Sequence, residues 1–216
     1  MIEHFKNLPD AEQEKIIGAC RQEFTEKGYL RASTNTMVEV AGIPKGTLFF
    51  FFGSKKKLFL YILDAAVNAY CEFADKNSGD LPAELFARMF FMVEVRMRFA
   101  AEKPGWYQFL AKALLDIPEA LMHEMGERFA DYSEANQRFM REGLDTSHLR
   151  PGITLAQVLD LIGMLQEGML ARYTQQLQKM KAEETLQFVE EMKVATRQQF
   201  ELLKYGVYRT DESDFS

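Results

Sequence analysis

The chain has 216 residues, of which 47% are hydrophobic and 27% charged, with a formal net charge of −6. That length buries a full core without a metal or disulfide staple, and the composition excludes a collagen-like or wholly disordered chain. The charge is uneven: residues 1–60 hold nine Lys/Arg against seven Asp/Glu, a balance of +2, and the remainder holds 17 against 25, as expected of a chain that offers one end to a polyanion.

The pattern is helical almost from end to end. Glu3 and His4, with no apolar run behind them, argue against a signal peptide. From Asp10, the apolar residues Ile16, Ile17, Cys20 and Phe24 recur at helical spacing up to Gly28, a good C-terminal stop. Ser33 and Thr34 can cap a short second helix with Met37, Val38 and Ala41 inside, broken by Gly42. Pro44 opens a third short helix to about Phe51, and Gly53-Ser54 precedes a long fourth helix towards Lys76. Asn77-Ser78-Gly79-Asp80 reads as a turn. An almost wholly apolar helix over about Pro82–Glu102 comes next, then a break at Pro104-Gly105 and a short aromatic helix. Ile117-Pro118 opens a long helix ending near Gly143, and Asp145–Gly152 is a polar loop. Two long helices, about Thr154–Gln176 and Glu183–Lys204, precede a polar, frayed tail after Gly206. No apolar run reaches the 18 residues of a membrane span, because Glu94, Arg96 and Arg98 interrupt the densest stretch. The expected fold is all-α with about nine helices. Cys20 and Cys71, far apart inside helical patterns, read as reduced, buried thiols of a cytoplasmic protein.

The short–turn–short pair over residues 33–52 has the mechanics of a helix-turn-helix, whose second helix lies in the major groove. Small Ala41 permits close approach, Gly42 accepts a positive φ, and Ile43 plugs the core between the pair. Met37, Val38, Ile43 and Leu48 would point inward. Asn35, Thr36, Pro44, Lys45, Thr47 and Phe50 would then point outward, with Gly46 letting a nucleic-acid backbone come near. Four consecutive Phe cannot all be buried in so short a helix, so at least one ring needs a partner. Lys55 is close enough in sequence to clamp a phosphate beside this helix.

The string from Ala32 to Lys55, with its Thr-rich helix start, Ala41-Gly42-Ile43-Pro44-Lys45-Gly46-Thr47-Leu48-Phe49 and a Lys opening the next helix, resembles the DNA-binding segment of the TetR family of repressors. The match covers about residues 10–60. The resemblance implies a homodimer that reads a palindromic operator in double-stranded DNA, and a helical domain whose small-molecule effector releases DNA. It places Thr34, Lys45, Thr47, Phe49 and Lys55 where the family contacts DNA. Together with the outward residues, the candidate DNA-binding set is Ser33, Thr34, Asn35, Thr36, Pro44, Lys45, Gly46, Thr47, Phe49, Phe50 and Lys55. The chain departs from the family in having Phe at both 49 and 51, where a Tyr or His donates to phosphate; each lost hydrogen bond costs about 1 kcal/mol. On this reading residues 1–53 are the DNA-binding domain, 54–206 the effector-binding and dimerisation domain, and 207–216 a flexible tail.

Phe90, Val93, Met97, Trp106, Phe109, Leu110, Leu114, Met122, Met125, Phe129, Met164 and Leu165 are large and apolar, and methionine is pliable; each taken singly reads as plain core, and for the set the resemblance implies an effector pocket. Glu94 and Glu167 lie within these apolar runs and could receive a cationic ligand group; Glu94 could equally pair with Arg98. The last two helices carry wide apolar stripes, Leu155, Val158, Leu159, Ile162, Leu165 and Met169 on one and Leu186, Val189, Met192, Phe200 and Leu203 on the other; a four-helix interface between two copies, which resembles the family's dimer, would bury them, while half of each stripe can equally serve an intramolecular core. His123 and Glu127 share a helix face but are too few to hold a metal tightly. With no nucleophile motif and no phosphate-cradling loop, no enzyme activity, cofactor or metal is expected. The competing reading is a helical small-molecule carrier or protein-interaction module without DNA binding.

Overall fold

The computed structural model describes residues 2–77, 79, 81–115, 118–128, 141–177 and 182–208, with the side chains of 114–115, 170–171, 173–177 and 182–190 left aside. Expectations on Ser78, Asp80, Ile117, Phe129, residues 130–140 and 209–216, and on the side chains of Leu114, Leu186 and Val189, lie outside that description. The described residues are helical, with no strand: α1 (Ile2–Lys6), α2 (Asp10–Arg31), α3 (Thr34–Ala41), α4 (Lys45–Phe52), α5 (Lys55–Asn77), α6 (Leu85–Glu102), α7 (Pro104–Leu115), a 3₁₀ turn at Glu119–Leu121 running into α8 (122–128), α9 (Leu155–Leu177) and α10 (Ala182–Val207). None of these helices is long and apolar enough to cross a membrane.

Two compact units divide the chain, one from residues 1–75 with 102–130, the other from 76–101 with 131–216. In the first, α2 packs on α3 and α7, and α1 on α4. Ile16, Ile17, Cys20 and Phe24 of α2 face Met37, Leu48, Leu58, Ile62, Phe109 and Met125 in one core. Gly28 does break the helical backbone (φ 69°), but one more turn continues to Arg31. Helix α1 is an addition that the sequence pattern does not indicate. Its Phe5 is fully buried against Phe51, Phe52 and Tyr61, while Gln13 Nε2 donates to the carbonyls of Lys6 and Leu8 at 3.1 and 2.8 Å. Charge pairs tie α5 to α8: Arg128 Nε to Asp64 Oδ1 at 2.7 Å, and Lys56 to Glu124. Burial pushes the Cys20 thiol up to about 12. Cys71, by contrast, is exposed; the buried positions of α5 end at Ala66, so the expectation of a buried thiol there is corrected.

The second unit is built on α6, α9 and α10, with Leu85, Phe86, Met89, Val93 and Met97 packed against Val158, Ile162, Met192 and Phe200. Thr154 and Gln157 form a reciprocal cap at the start of α9: Thr154 N donates to Gln157 Oε1 at 2.9 Å, and Gln157 N to Thr154 Oγ1 at 3.3 Å. Arg88 is 2% exposed and holds its charge among carbonyls, Nε to Pro82 O and Nη1 to Glu142 O, both at 2.7 Å. The sequence pattern draws attention to Glu94, Arg96 and Arg98 on this helix and not to Arg88. Arg98 Nη1 donates to Asn77 Oδ1 at 3.3 Å, and among the described residues Glu94 makes no ion pair with it. The expected frayed tail also starts too early: Val207 and Tyr208 are buried. Tyr208 Oη donates to Glu84 Oε1 at 2.5 Å, and Arg150 Nε and Nη2 donate to the carbonyls of Tyr208 and Tyr205 at 2.6 and 2.9 Å. The loop after 145 is thereby fastened to the end of α10.

Burial alone would raise the Glu84 carboxyl, but the Tyr208 hydroxyl, the Ala87 and Phe86 N–H groups and Lys204 outweigh it and hold the group below its ordinary value. A lowered folded-state pKa stabilises the fold above the ordinary carboxylate range, and that contribution fades as pH falls through the lowered value. Tyr208→Phe should therefore destabilise the chain by about 1 kcal/mol at neutral pH. In denaturant titrations the difference from the parent chain should shrink below about pH 4; a difference constant down to pH 3 would contradict this account.

Candidate nucleic-acid interface

The arrangement of α3 and α4 follows from the turn between them. Ser33 caps α3, its Oγ accepting from Thr36 N at 3.4 Å, while its own N–H donates to Glu23 Oε1 of α2 at 2.9 Å. Buried Glu23 thus keeps a partner and pins the start of α3. At the other end Gly42 is left-handed (φ 68°, ψ 34°), with Ile43 N bonded to Val38 O at 3.1 Å and Gly42 N to Glu39 O at 3.2 Å. This Schellman pair satisfies the last carbonyls of α3 and turns the chain sharply. Pro44 then sits at the N-cap of α4 in extended conformation, one residue earlier than a first-turn proline.

Helix α4 is anchored by Leu48, Phe51 and Phe52, all buried. Lys45, Gly46 and Phe50 are exposed, and Thr47 and Phe49 are half-buried. The Lys45 ammonium lies 6.0 Å from the centre of the Phe49 ring. From the α3 side, Asn35 and Thr36 are exposed, Ser33 and Thr34 half-buried, and Pro44 is exposed. A Cβ built on Gly46 meets nothing within 4 Å, and its φ is not positive. The fold itself does not require glycine there.

Phe50 is the exposed ring of the four, at 53%, and its partner is His4 of α1, with ring centres 5.1 Å apart. Lys55 is placed differently from a free phosphate clamp. Its Nζ donates to Ala32 O at 2.7 Å and Leu30 O at 3.2 Å and lies 5.1 Å from the Tyr29 ring centre. Burial pulls the ammonium below its ordinary value, partly offset by Glu23. Two of its three donor hydrogens are thus used in closing the C-terminus of α2, a function of lysine near a helix end.

The candidate effector residues fall into both units. Phe109 and Met125 are core residues of the first, with Trp106 and Leu110 packed beside them; the Arg21 guanidinium covers the Trp106 ring at 4.1 Å. Val93 and Met97 are core residues of the second, with Phe90 and Leu165 beside them, and Arg197 lies 4.3 Å over the Phe90 ring. Glu94 is half-buried, whereas Met122, Met164 and Glu167 are exposed. His123 Nε2 faces Glu127 Oε1 at 3.6 Å, both side chains largely exposed. Among the described residues no group of three or more His, Cys, Asp or Glu is placed to hold a metal ion.

Comparison with known proteins gives this geometry a family. A family model described as bacterial regulatory proteins, tetR family, matches residues 16–62, and one described as tetracyclin repressor-like, C-terminal domain, matches residues 83–207. No curated protein matches the chain. Among solved structures, a TetR family transcriptional regulator from Chloroflexus aurantiacus J-10-FL is similar over 96% of this chain and 98% of its own, with 22% identity and a TM-score of 0.68. The fatty acid degradation regulator FadR from Bacillus halodurans is similar over 85% and 97%, with 14% identity and a TM-score of 0.62. FadR from Bacillus subtilis, solved in complex with stearoyl-CoA, is similar over 86% and 96%, with 12% identity and a TM-score of 0.61. The first family model covers the helix-turn-helix and the second most of the remaining chain, and this chain belongs to the TetR family of bacterial transcriptional regulators.

Proposed function

We propose that the chain is a cytoplasmic repressor that binds a palindromic operator as a homodimer, with α4 of each copy in the major groove of one half-site and no catalytic role. The observation that carries this reading is the open side of α4. Lys45 supplies charge, Thr47 a hydroxyl for a phosphate or a methyl for thymine, and Gly46 room for close approach. Gly46 supports it most directly, since glycine inside a helix is destabilising and nothing within the chain needs it. Residues 33–36 cross the DNA backbone, and Lys55 acts by fixing the end of α2 beside them. The DNA-binding function ends near residue 53, and effector binding and dimerisation belong to residues 54–206.

Dimerisation is assigned to α9 and α10. Once their core stripes are buried, Leu161, Met164, Val194, Leu202 and Tyr205 remain exposed, large apolar side chains that a second copy would cover. The effector is a small, mostly apolar molecule, in keeping with the methionine-rich candidates and with a structural neighbour that holds stearoyl-CoA. It shifts DNA affinity only by its differential affinity for the two states of the regulator.

Selection from a random duplex pool by the stripped and refolded protein at near-physiological salt should enrich a palindrome; no enrichment by a folded dimer would refute the repressor reading. Lys45→Ala should weaken that operator by about tenfold and reduce the log–log salt slope by about one per protomer. Gly46→Ala should raise thermal stability by up to about 1 kcal/mol while weakening the operator, a separation of stability from binding that a merely structural glycine would not give. Met164→Glu combined with Leu202→Glu should yield a folded monomer in sedimentation; an unchanged dimer mass would remove this face from the interface.

A further inference from the structure

We infer that His4 is part of the DNA interface: helix α1 holds its imidazole beside the outward face of α4, where it donates a hydrogen bond to a backbone phosphate at the edge of the groove. The inference rests on the DNA-binding reading above and extends it to an element outside the helix-turn-helix.

Three observations carry it. A five-residue helix does not persist by itself in water, yet α1 is locked: Phe5 is 1% exposed, with ring centres 5.7 Å from Phe51, 4.9 Å from Phe52 and 5.8 Å from Tyr61, and Gln13 holds the carbonyls at its C-terminal end. His4 is therefore presented from a fixed support, as an interface donor needs to be.

The residue next to this plug points the other way. His4 is exposed, and its ring lies 5.1 Å from Phe50. Phe50 stands one turn beyond Gly46 on α4, both exposed, so the imidazole borders the same side of the helix that would meet DNA. Among the described residues neither ring nitrogen of His4 makes a hydrogen bond. Its neighbour Lys6 is paired with Glu3 at 3.5 Å, so the nearest acidic group on α1 already has a partner.

The third observation is a deficit on α4 itself. After Thr47 the helix continues Leu48-Phe49-Phe50-Phe51-Phe52, five side chains without a single hydrogen-bond donor. A helix lying in the groove has phosphates along both edges, and at its C-terminal half this one has only rings to offer them. The His4 N–H restores a donor at that end, with the Phe50 ring as its backing.

The test uses the full chain, the operator obtained by selection, and a scrambled duplex of equal length. His4→Phe keeps a ring against Phe50 and removes the N–H, whereas His4→Lys replaces the imidazole by a different donor. His4→Phe should weaken both duplexes about tenfold with the same base preference and an unchanged melting midpoint, because a phosphate contact carries no sequence information. His4→Lys should recover the affinity with a salt slope steeper by about one per protomer. If His4→Phe binds both duplexes like the parent chain, or loses affinity only together with a lowered melting midpoint, the assignment fails and His4 is a packing residue. If the parent chain, folded and stripped, binds neither duplex, it is the DNA reading that fails, a result visible before any variant is made.

Discussion

The left-handed turn at Gly42 is the constraint on which the reading head depends. Helix α4 begins a few residues after it, and the bonds from Ile43 and Gly42 back to Val38 and Glu39 leave α3 no freedom to continue or unwind. The direction of α4 is set there, and with it which side of the helix is buried through Leu48, Phe51 and Phe52. A residue with a Cβ would bear the steric cost of the left-handed region, and its added carbon would sit 3.2 Å from Lys15 Nζ. Backbone conformation at one position thus decides how Lys45, Gly46 and Phe50 are shown to solvent.

Charges inside this unit serve position as much as attraction. Glu23 is buried yet bonded to the N–H that opens α3, and Lys55 reaches the carbonyls that close α2. The two side chains brace the crossing from α2 to α3, and Glu23 offsets part of the desolvation cost of Lys55. The second unit repeats the logic with other residues. Arg88 is one of its most deeply buried side chains because main-chain carbonyls surround its guanidinium, and Glu84, Tyr208 and Arg150 tie the first turn of α6 to the last turn of α10. In each unit, polar groups fasten the helix ends while apolar side chains fill the space between.

Local signals are legible in the sequence wherever a residue acts on its own neighbourhood. The cap at Ser33, the breaks at Gly28, Gly42 and Gly53, and the inward stripe of Met37 and Leu48 all depend on interactions within a few residues. The family resemblance is legible for the same reason, since a helix-turn-helix is a short contiguous string. Helix α1 is not, because five residues hold too weak a periodicity and owe their helix to Phe5 meeting Phe51, Phe52 and Tyr61. The destination of Lys55, the exposure of Cys71 and the burial of Arg88 and Tyr208 stay hidden for a similar reason: each is decided by a partner or an opening far away in sequence.

From its sequence alone this protein is an all-helical chain with a helix-turn-helix near its start, because hydrophobic periodicity, capping and glycine breaks are local and additive. Tertiary structure alone decided which of the four phenylalanines stays outside, that His4 stands beside it, and that an arginine on an apolar helix is buried among main-chain carbonyls. Those outcomes depend on packing, where a side chain's environment is the sum of what other segments bring to it, and no spacing along the chain encodes that sum.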